Sequence, residues 1–337
     1  MSNRVQADRV AKALAPGKII LTGEHFVVLG APAVAMAVDL HAHAIVGPAR
    51  PGKIEVGASI PLHLLGHEVE NGGRLDTKRL LEPLRLAARE TLDYIGERRS
   101  GVTLDVYCEI PVGAGLGSSA SITVATITAV ANAKGAKLAR EESFKIAFGP
   151  ESYLHGKPSG VDHAASIFGG AIKFTRPNII KPLKLKSPPH VLVCDTGIHR
   201  STKKLVGTVV RKSQLRRQLF DVHLDEVREI SESAVRALNR GDGEEMGALM
   251  NRNQELLVEI GVSHPKLEQL VKVAREKGAL GAKLTGAGGG GCIIAVCQNN
   301  KDEVSIARAL KRHGGIPYMV TMDPEGARAV STGTVLK

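Results

Sequence analysis

The chain of 337 residues is longer than a single hydrophobic core usually organises, about 250 to 300 residues, and so points to two domains. With 43% hydrophobic and 23% charged residues it can bury sizeable cores, yet its longest apolar run, LGAPAVAMAV (Leu29–Val38), is about half of the roughly 20 residues that cross a bilayer, so no membrane span is expected. A net charge of +11 with 3% aromatics and no tryptophan suits a small polyanion better than single-stranded nucleic acid, which favours aromatic stacking platforms, so no nucleic-acid partner is expected. The first residues, MSNRVQADRVAKALAPGK, hold charges without an apolar segment or a cleavage-like site, which predicts a cytoplasmic protein. Cys108, Cys194, Cys292 and Cys297 lie scattered in apolar, strand-like contexts without zinc or CxxC spacing, and read as buried thiols.

Taken in order, APGKIILTGEHFVVLGAPAV (Ala15–Val34) sets Lys18, Glu24 and His25 in an otherwise apolar stretch. A lysine between Gly17 and the apolar IIL lies close to a core and needs a partner for its charge. Residues Val102–Ile110 alternate, with Leu104, Val106, Cys108 and Ile110 on one side, which predicts a half-buried strand. After a glycine turn, SSASITVATITAVANAK runs uncharged to Lys134, too long for a strand, and predicts a buried helix. A charged helix is expected around Ala139–Phe148, followed by GGAIKF and by a basic stretch, Pro177–Pro189, whose prolines disfavour regular structure and mark a domain boundary. VLVCDTG (Val191–Gly197) reads as a buried strand, and Ser213–Leu238, Gly243–Ile260 and HPKLEQLVKVAREKG read as amphipathic helices.

Three segments carry chemistry. PVGAGLGSSAS (Pro111–Ser121) joins the alternating strand to the buried helix; Gly113, Gly115 and Gly117 let backbone approach closely, and the helix turns its unsatisfied N–H groups and positive dipole end toward the turn. An anion is the natural occupant, although such turns also serve plain close packing. The loop is neither a Walker A sequence nor a GxGxxG fingerprint, because its spacing is GxGxG. KLTGAGGGGC (Lys283–Cys292) packs five glycines into six residues, more than a tight turn requires, and is expected between a helix and a strand. In ESYLHGKPSGVDHAASIFGG (Glu151–Gly170), Asp162 follows a rigid turn; alone it reads as a helix cap, and it is also the candidate partner of Lys18.

Together, in this order and over nearly the whole chain, the three segments resemble the motifs of the GHMP kinases. GEH, HGKPSGVDHAASIFGGAI and HRSTKKLV (His199–Val206) resemble in particular the mevalonate kinases of that family. The resemblance implies an α+β, two-domain architecture: a ribosomal-protein-like N-terminal domain (1–182), a ferredoxin-like C-terminal domain (183–337), and an active site in the cleft between them. It implies that Gly113, Ala114, Gly115, Leu116, Gly117, Ser118 and Ser119 wrap the ATP triphosphate, with Ser119 and Glu151 coordinating Mg²⁺. Asp162 would face the hydroxyl being phosphorylated, with Lys18 beside it. Glu24, His25 and Thr202 would lie at the acceptor pocket, and Gly286, Ala287, Gly288 and Gly289 near the reacting phosphates. The chemistry agrees, since phosphoryl transfer needs alignment and charge neutralisation more than covalent help. Asp162 would act on the acceptor proton as a base or by orientation, and Lys18 would stabilise the developing alkoxide.

The implied reaction is ATP- and Mg²⁺-dependent phosphorylation of mevalonate, by a homodimer if the family habit holds. The rival readings are a phosphomevalonate or other small-alcohol kinase, and a catalytically silent binding protein on the same fold. Lys157 and His163 stand where the family pattern leads one to expect asparagine, threonine or another small polar residue, and Phe26 and Leu29 also depart from it. The departures at Lys157 and His163 put acceptor-site details in question.

Overall fold

The computed structural model describes residues 9–57, 77–111, 113–155, 158–198 and 202–331. Two sheets organise these residues. The first holds β1 (Ala11–Thr22), β2 (Ala33–Ala49), β3 (Ile54–Val56), β4 (Gly101–Cys108), β5 (Ala171–Thr175) and β6 (Ile179–Pro182), joined by β11 (Arg328–Val330) from the far end of the chain. Its path runs β11-β1-β2-β4-β3, and β5 branches from the start of β2 to pair with β6. The long strand β2 makes this possible: Ala33–Met36 pair with β5 while Ala42–Ala49 pair with β4. Alternation in β4 is as expected, with Leu104, Val106 and Cys108 buried and Asp105 and Tyr107 exposed.

Helices α1 (Thr77–Tyr94), α2 (Ser118–Ala133), α3 (Arg140–His155) and α4 (Val161–Phe168) pack with this sheet, and α2, the uncharged helix, lies against β1 and β2 with nearly every residue buried. The charged helix α3 runs past the expected end at Phe148, through Pro150, to His155. Packing outweighs the lost N–H of the proline here. Gly149 lies so close to the Glu90 carboxylate of α1 that a Cβ would collide with it. Part of the proline-punctuated stretch also becomes regular, as β6, whose single ladder with β5 leaves it at the edge of the sheet where Pro182 is tolerated.

The second sheet, order β10-β7-β9-β8, is antiparallel throughout: β7 (His190–Asp195), β8 (Gly281–Thr285), β9 (Cys292–Cys297) and β10 (Ile316–Val320). Helices α8 (Pro265–Glu276) and α9 (Asn300–Arg312) pack on it, whereas α6 (Arg217–Arg240) and α7 (Gly243–Glu259) also touch β1, so they lie at the junction of the two sheets. The helix expected from Ser213 starts earlier, as α5 (Thr202–Leu215), and breaks at Arg216 before α6. The second glycine cluster links two strands, β8 and β9, rather than a helix and a strand, because Lys283–Thr285 pair with β9. The two hydrophobic cores interlock: Val191, Val193, Cys292 and Ile294 belong to the core of the first sheet, while Phe26 and Ala31 belong to that of the second. All four cysteines are buried free thiols. No helix among the described residues is long and apolar enough to cross a membrane.

Candidate active site

The loop Gly113–Gly117 sits at the junction of the two sheets. Gly113, Gly115 and Gly117 all have positive φ, between 70° and 81°, a conformation that side chains other than glycine rarely adopt. Close approach needs them too: a Cβ on Gly117 would stand 3.2 Å from Lys18 Cγ, and one on Gly115 would stand 3.1 Å from the Thr285 carbonyl oxygen. The second glycine loop presses on the first, so that a Cβ on Gly286 would come within 2.9 Å of the Gly115 oxygen. The Cys292 N–H donates to the Ala114 carbonyl at 3.1 Å, and the Lys18 N–H donates to the Leu116 carbonyl at 2.9 Å. Farther along, the Gly289 N–H donates to Val262 O at 2.8 Å, and a Cβ on Gly288 would collide with that same carbonyl. Helix α2 starts directly from the first loop, and no side chain caps it. Ser118, Ser119 and the other first-turn residues therefore turn their N–H groups toward the loop, the arrangement that accepts phosphate oxygens.

Lys18 is buried in β1. Its Nζ donates to the Gly115 carbonyl at 2.7 Å and forms an ion pair with Asp162 Oδ1 at 3.2 Å. Asp162, in the first turn of α4, makes no capping bond; Gly160, in the left-handed region, occupies the cap position. The helix-cap reading thus fails, and the carboxylate side chain, 40% exposed, faces the loop. On α3, the Glu151 carboxylate accepts from Ser119 Oγ at 2.8 Å and from Thr123. Burial pushes its pKa up to about 7, the bonds from Ser119 and Thr123 pull the other way, and the neighbouring charge of Asp162 adds to the rise.

The turn after β1 follows Lys18 by a few residues. Glu24 is fully buried, paired with Lys283 of β8, which also donates to the Leu284 carbonyl at 2.6 Å. Burial raises the Glu24 pKa and lowers that of Lys283, and their mutual attraction opposes both shifts. The Glu24 Oε2 has no hydrogen-bond partner. His25 is the one residue other than glycine with positive φ among those described, at 60°. Its Nε2 bonds the Ala287 carbonyl at 2.8 Å, which makes Nε2 the protonated nitrogen, and burial lowers its pKa to about 4. Thr202 opens α5, but its side chain lies outside the described residues, as do Lys157, His199 and Arg200.

The comparisons with known proteins fit this geometry. Residues 82–170 match the model of the GHMP kinases N-terminal domain, and residues 234–316 match that of the GHMP kinases C-terminal domain. Mevalonate kinase of Pyrococcus abyssi is 36% identical over 95% of this chain and 98% of its own length; that of Thermococcus onnurineus is 38% identical over 94% and 97%. Among solved structures, L. major mevalonate kinase in complex with R-mevalonate superposes with a TM-score of 0.79 at 31% identity, covering 96% of this chain and 99% of the other. The chain belongs to the GHMP kinases.

Two departures of this GHMP kinase from the family pattern now have structural reasons. His163 lies in the core. Its ring lies 4.8 Å from Phe144 and 4.5 Å from Phe148, fully buried, and burial lowers its pKa to about 4, so it is a neutral core residue. Phe26 opens a 3-10 turn (Phe26–Leu29) and inserts into the second core, 6.5 Å from Phe220 and 6.3 Å from His223. Sequence reasoning missed Lys283, Asn253, Ser231, Thr123 and Thr285, whose Oγ1 accepts from the Ile20 N–H at 2.8 Å. A lysine between alanine and leucine just ahead of the glycine cluster was the one available signal for Lys283, which the structure buries in β8, and nothing local marked the other four.

Proposed function

We propose that this GHMP kinase transfers the γ-phosphoryl group of ATP to the 5-hydroxyl of mevalonate. The observation that carries the reading is the Lys18–Asp162 pair: a half-exposed carboxylate, fixed through Oδ1 by a buried lysine, at the mouth of a loop that ends in an uncapped helix N-terminus. The triphosphate lies along Gly113–Ser119, and the Gly286–Gly289 loop borders it. Lys18 holds Asp162 Oδ1, which leaves Oδ2 to accept the acceptor's hydroxyl proton as that oxygen bonds to the γ-phosphorus and the bond to ADP breaks. The Lys18 ammonium then lies beside the charge that develops on the alkoxide. Glu24 and His25 belong to the acceptor side, together with Thr202.

A Mg²⁺ ion is implied by the family, and the residues present fit one. Ser119 and Glu151 offer a hydroxyl and a buried carboxylate, the hard oxygen donors this ion takes. Among the described residues no group of three His, Cys, Asp or Glu could hold a metal by itself, and the ion of this reading would take its remaining ligands from nucleotide phosphates and water. When bound, it would neutralise charge on the triphosphate.

Residues 1–182 and 183–337 are the two domains of this reading, and a cytoplasmic homodimer is its assembly; light scattering would measure the mass. The decisive experiment is an ATP-consumption panel with mevalonate, phosphomevalonate, homoserine and galactose. Turnover is expected with mevalonate, and Asp162→Asn and Lys18→Ala should each lower kcat by at least about a hundredfold. Absence of turnover with mevalonate, or undiminished rates in both variants, overturns the reading.

A further inference from the structure

The turn Thr22–His25 is held from the other half of the chain at every residue. Thr22 Oγ1 bonds Ser231 Oγ of α6 at 3.0 Å, the Gly23 N–H donates to Asn253 Oδ1 of α7 at 2.9 Å, Glu24 pairs with Lys283, and His25 bonds the Ala287 carbonyl. Such holding answers a need of the backbone. Gly23 has φ 94° and its Cα is pressed so close to Pro32 and Ala33 that a Cβ would collide with them, and His25 follows at φ 60°. Gly23 takes its positive φ at no steric cost, but His25, at φ 60° and ψ −47°, is strained, a conformation that persists only where its surroundings fix it. Asn253 is fully buried, yet its Nδ2 finds no partner. An apolar residue of similar size would avoid that loss, so the retained amide is explained by what its oxygen does for Gly23. Ser231 is also fully buried, and it ties the turn down twice, through Thr22 and through a 3.1 Å bond to the Pro32 carbonyl.

We propose that Asn253 and Ser231 are positioning residues for the acceptor side, fixing the strained turn from which Glu24 and His25 project; this rests on the reading of that turn as part of the mevalonate site. Neither residue touches the nucleotide loop. That loop is fastened by Cys292 N–H to Ala114 O and by the packing of Gly115 on Gly286, and the turn reaches the second glycine loop through the His25–Ala287 bond. Loosening the turn should therefore harm the acceptor far more than ATP.

The test is steady-state kinetics with each substrate varied in turn, on wild type, Asn253→Ala and Ser231→Ala, with thermal melts alongside. Expected is a rise in KM for mevalonate of about tenfold in Asn253→Ala and a smaller rise in Ser231→Ala, each with KM for ATP changed less than about twofold. If Asn253→Ala does not fold, Ser231→Ala carries the test through the same split. A lower melting temperature with both KM values unchanged, or a parallel rise in both, overturns the proposal. A wild-type protein that ignores mevalonate overturns instead the reading of the function, so the two failures are distinguishable.

Discussion

The two sides of the cleft are built from different materials. The side we assign to the nucleotide is mostly backbone: its glycines adopt positive φ, its two loops press atom to atom, and N–H groups donate to the Leu116 and Ala114 carbonyls, with Lys18 Nζ on the Gly115 carbonyl as a side-chain fastening. The side we assign to the acceptor is mostly side chains, since Thr22, Glu24 and His25 and the Gly23 amide each meet a group 209 to 262 positions away in the chain. A backbone site tolerates no added Cβ but asks little of distant side chains. A side-chain site depends on every partner, and buried polar partners are costly to break. Substitutions on the acceptor side should therefore act through broken pairs, and those on the nucleotide side through steric strain.

The largest effect is expected at Glu24 and Lys283. Replacing either alone, as Glu24→Gln or Lys283→Met, leaves the other uncompensated in the interior and should destabilise the fold by about 3 to 5 kcal/mol. The double variant removes both charges and should recover much of that loss, because a buried pair replaced by neutral groups of similar size is often nearly neutral in stability. Denaturant unfolding of the four proteins measures the coupling. Additive losses would mean that the two charges do not depend on each other and would break the contrast between the two sides.

Next in size is an acid effect on a histidine away from both sides. The folded-state pKa of His163 is about 4, against about 6.5 when unfolded, so between those values only the unfolded chain holds the proton. Its contribution to stability is complete above about 6.5 and is lost as pH falls toward 4, in all roughly 3 kcal/mol. Glu151 slopes the other way. Its folded pKa of about 7 lies above its unfolded value of 4.5, and its contribution falls as pH rises between them. The comparison must accordingly be a difference, His163→Leu minus wild type, across pH 4 to 6.5. A shallower acid slope in the variant is expected; parallel curves would show that the phenylalanine cage admits a charged ring. His25, also at about 4, should add a second proton of the same sign, which His163→Leu leaves in place.

This difference in material also explains what was legible in the sequence. Glycine spacing announces a backbone site, so the two loops, the strand before the first and the buried helix after it were all readable, as was Lys18 as a buried charge in need of a partner. Asp162 was readable only through that need. Alone its position looked like a cap, and it lies a long way along the chain from Lys18. Asn253, Ser231 and Thr285 were not readable, because an asparagine or serine on an amphipathic helix gives no sign of which neighbour's N–H or hydroxyl it will meet. His163 misled for the opposite reason: adjacency to Asp162 drew it toward the site, whereas the turn of α4 points it at Phe144 and Phe148. Helix ends erred where packing overrode local signals, at Pro150 and at Thr202.

On the nucleotide side, Gly286→Ala should cost about 1 to 3 kcal/mol, since alanine at φ 80° is strained and its Cβ meets the Gly115 oxygen at 2.9 Å. Melting data give the stability, and a higher KM for ATP with KM for mevalonate spared would mirror the acceptor-side variants; a rise in mevalonate KM alone would contradict the division of labour. The smallest effect separates the sides by pH. Thr123 donates to Glu151 and so favours its charged form, the form that can hold a cation. Thr123→Val keeps the shape and removes that donor, so the Glu151 pKa, already about 7, moves higher by less than about 1. The rise of kcat/KM for ATP with pH should follow it, whereas kcat/KM for mevalonate at saturating nucleotide should keep its midpoint, because in the proposed site Glu151 is already committed to the cation once nucleotide is bound. A common shift in both profiles would mean that one carboxylate serves both sides, and the separation drawn from their construction would fail.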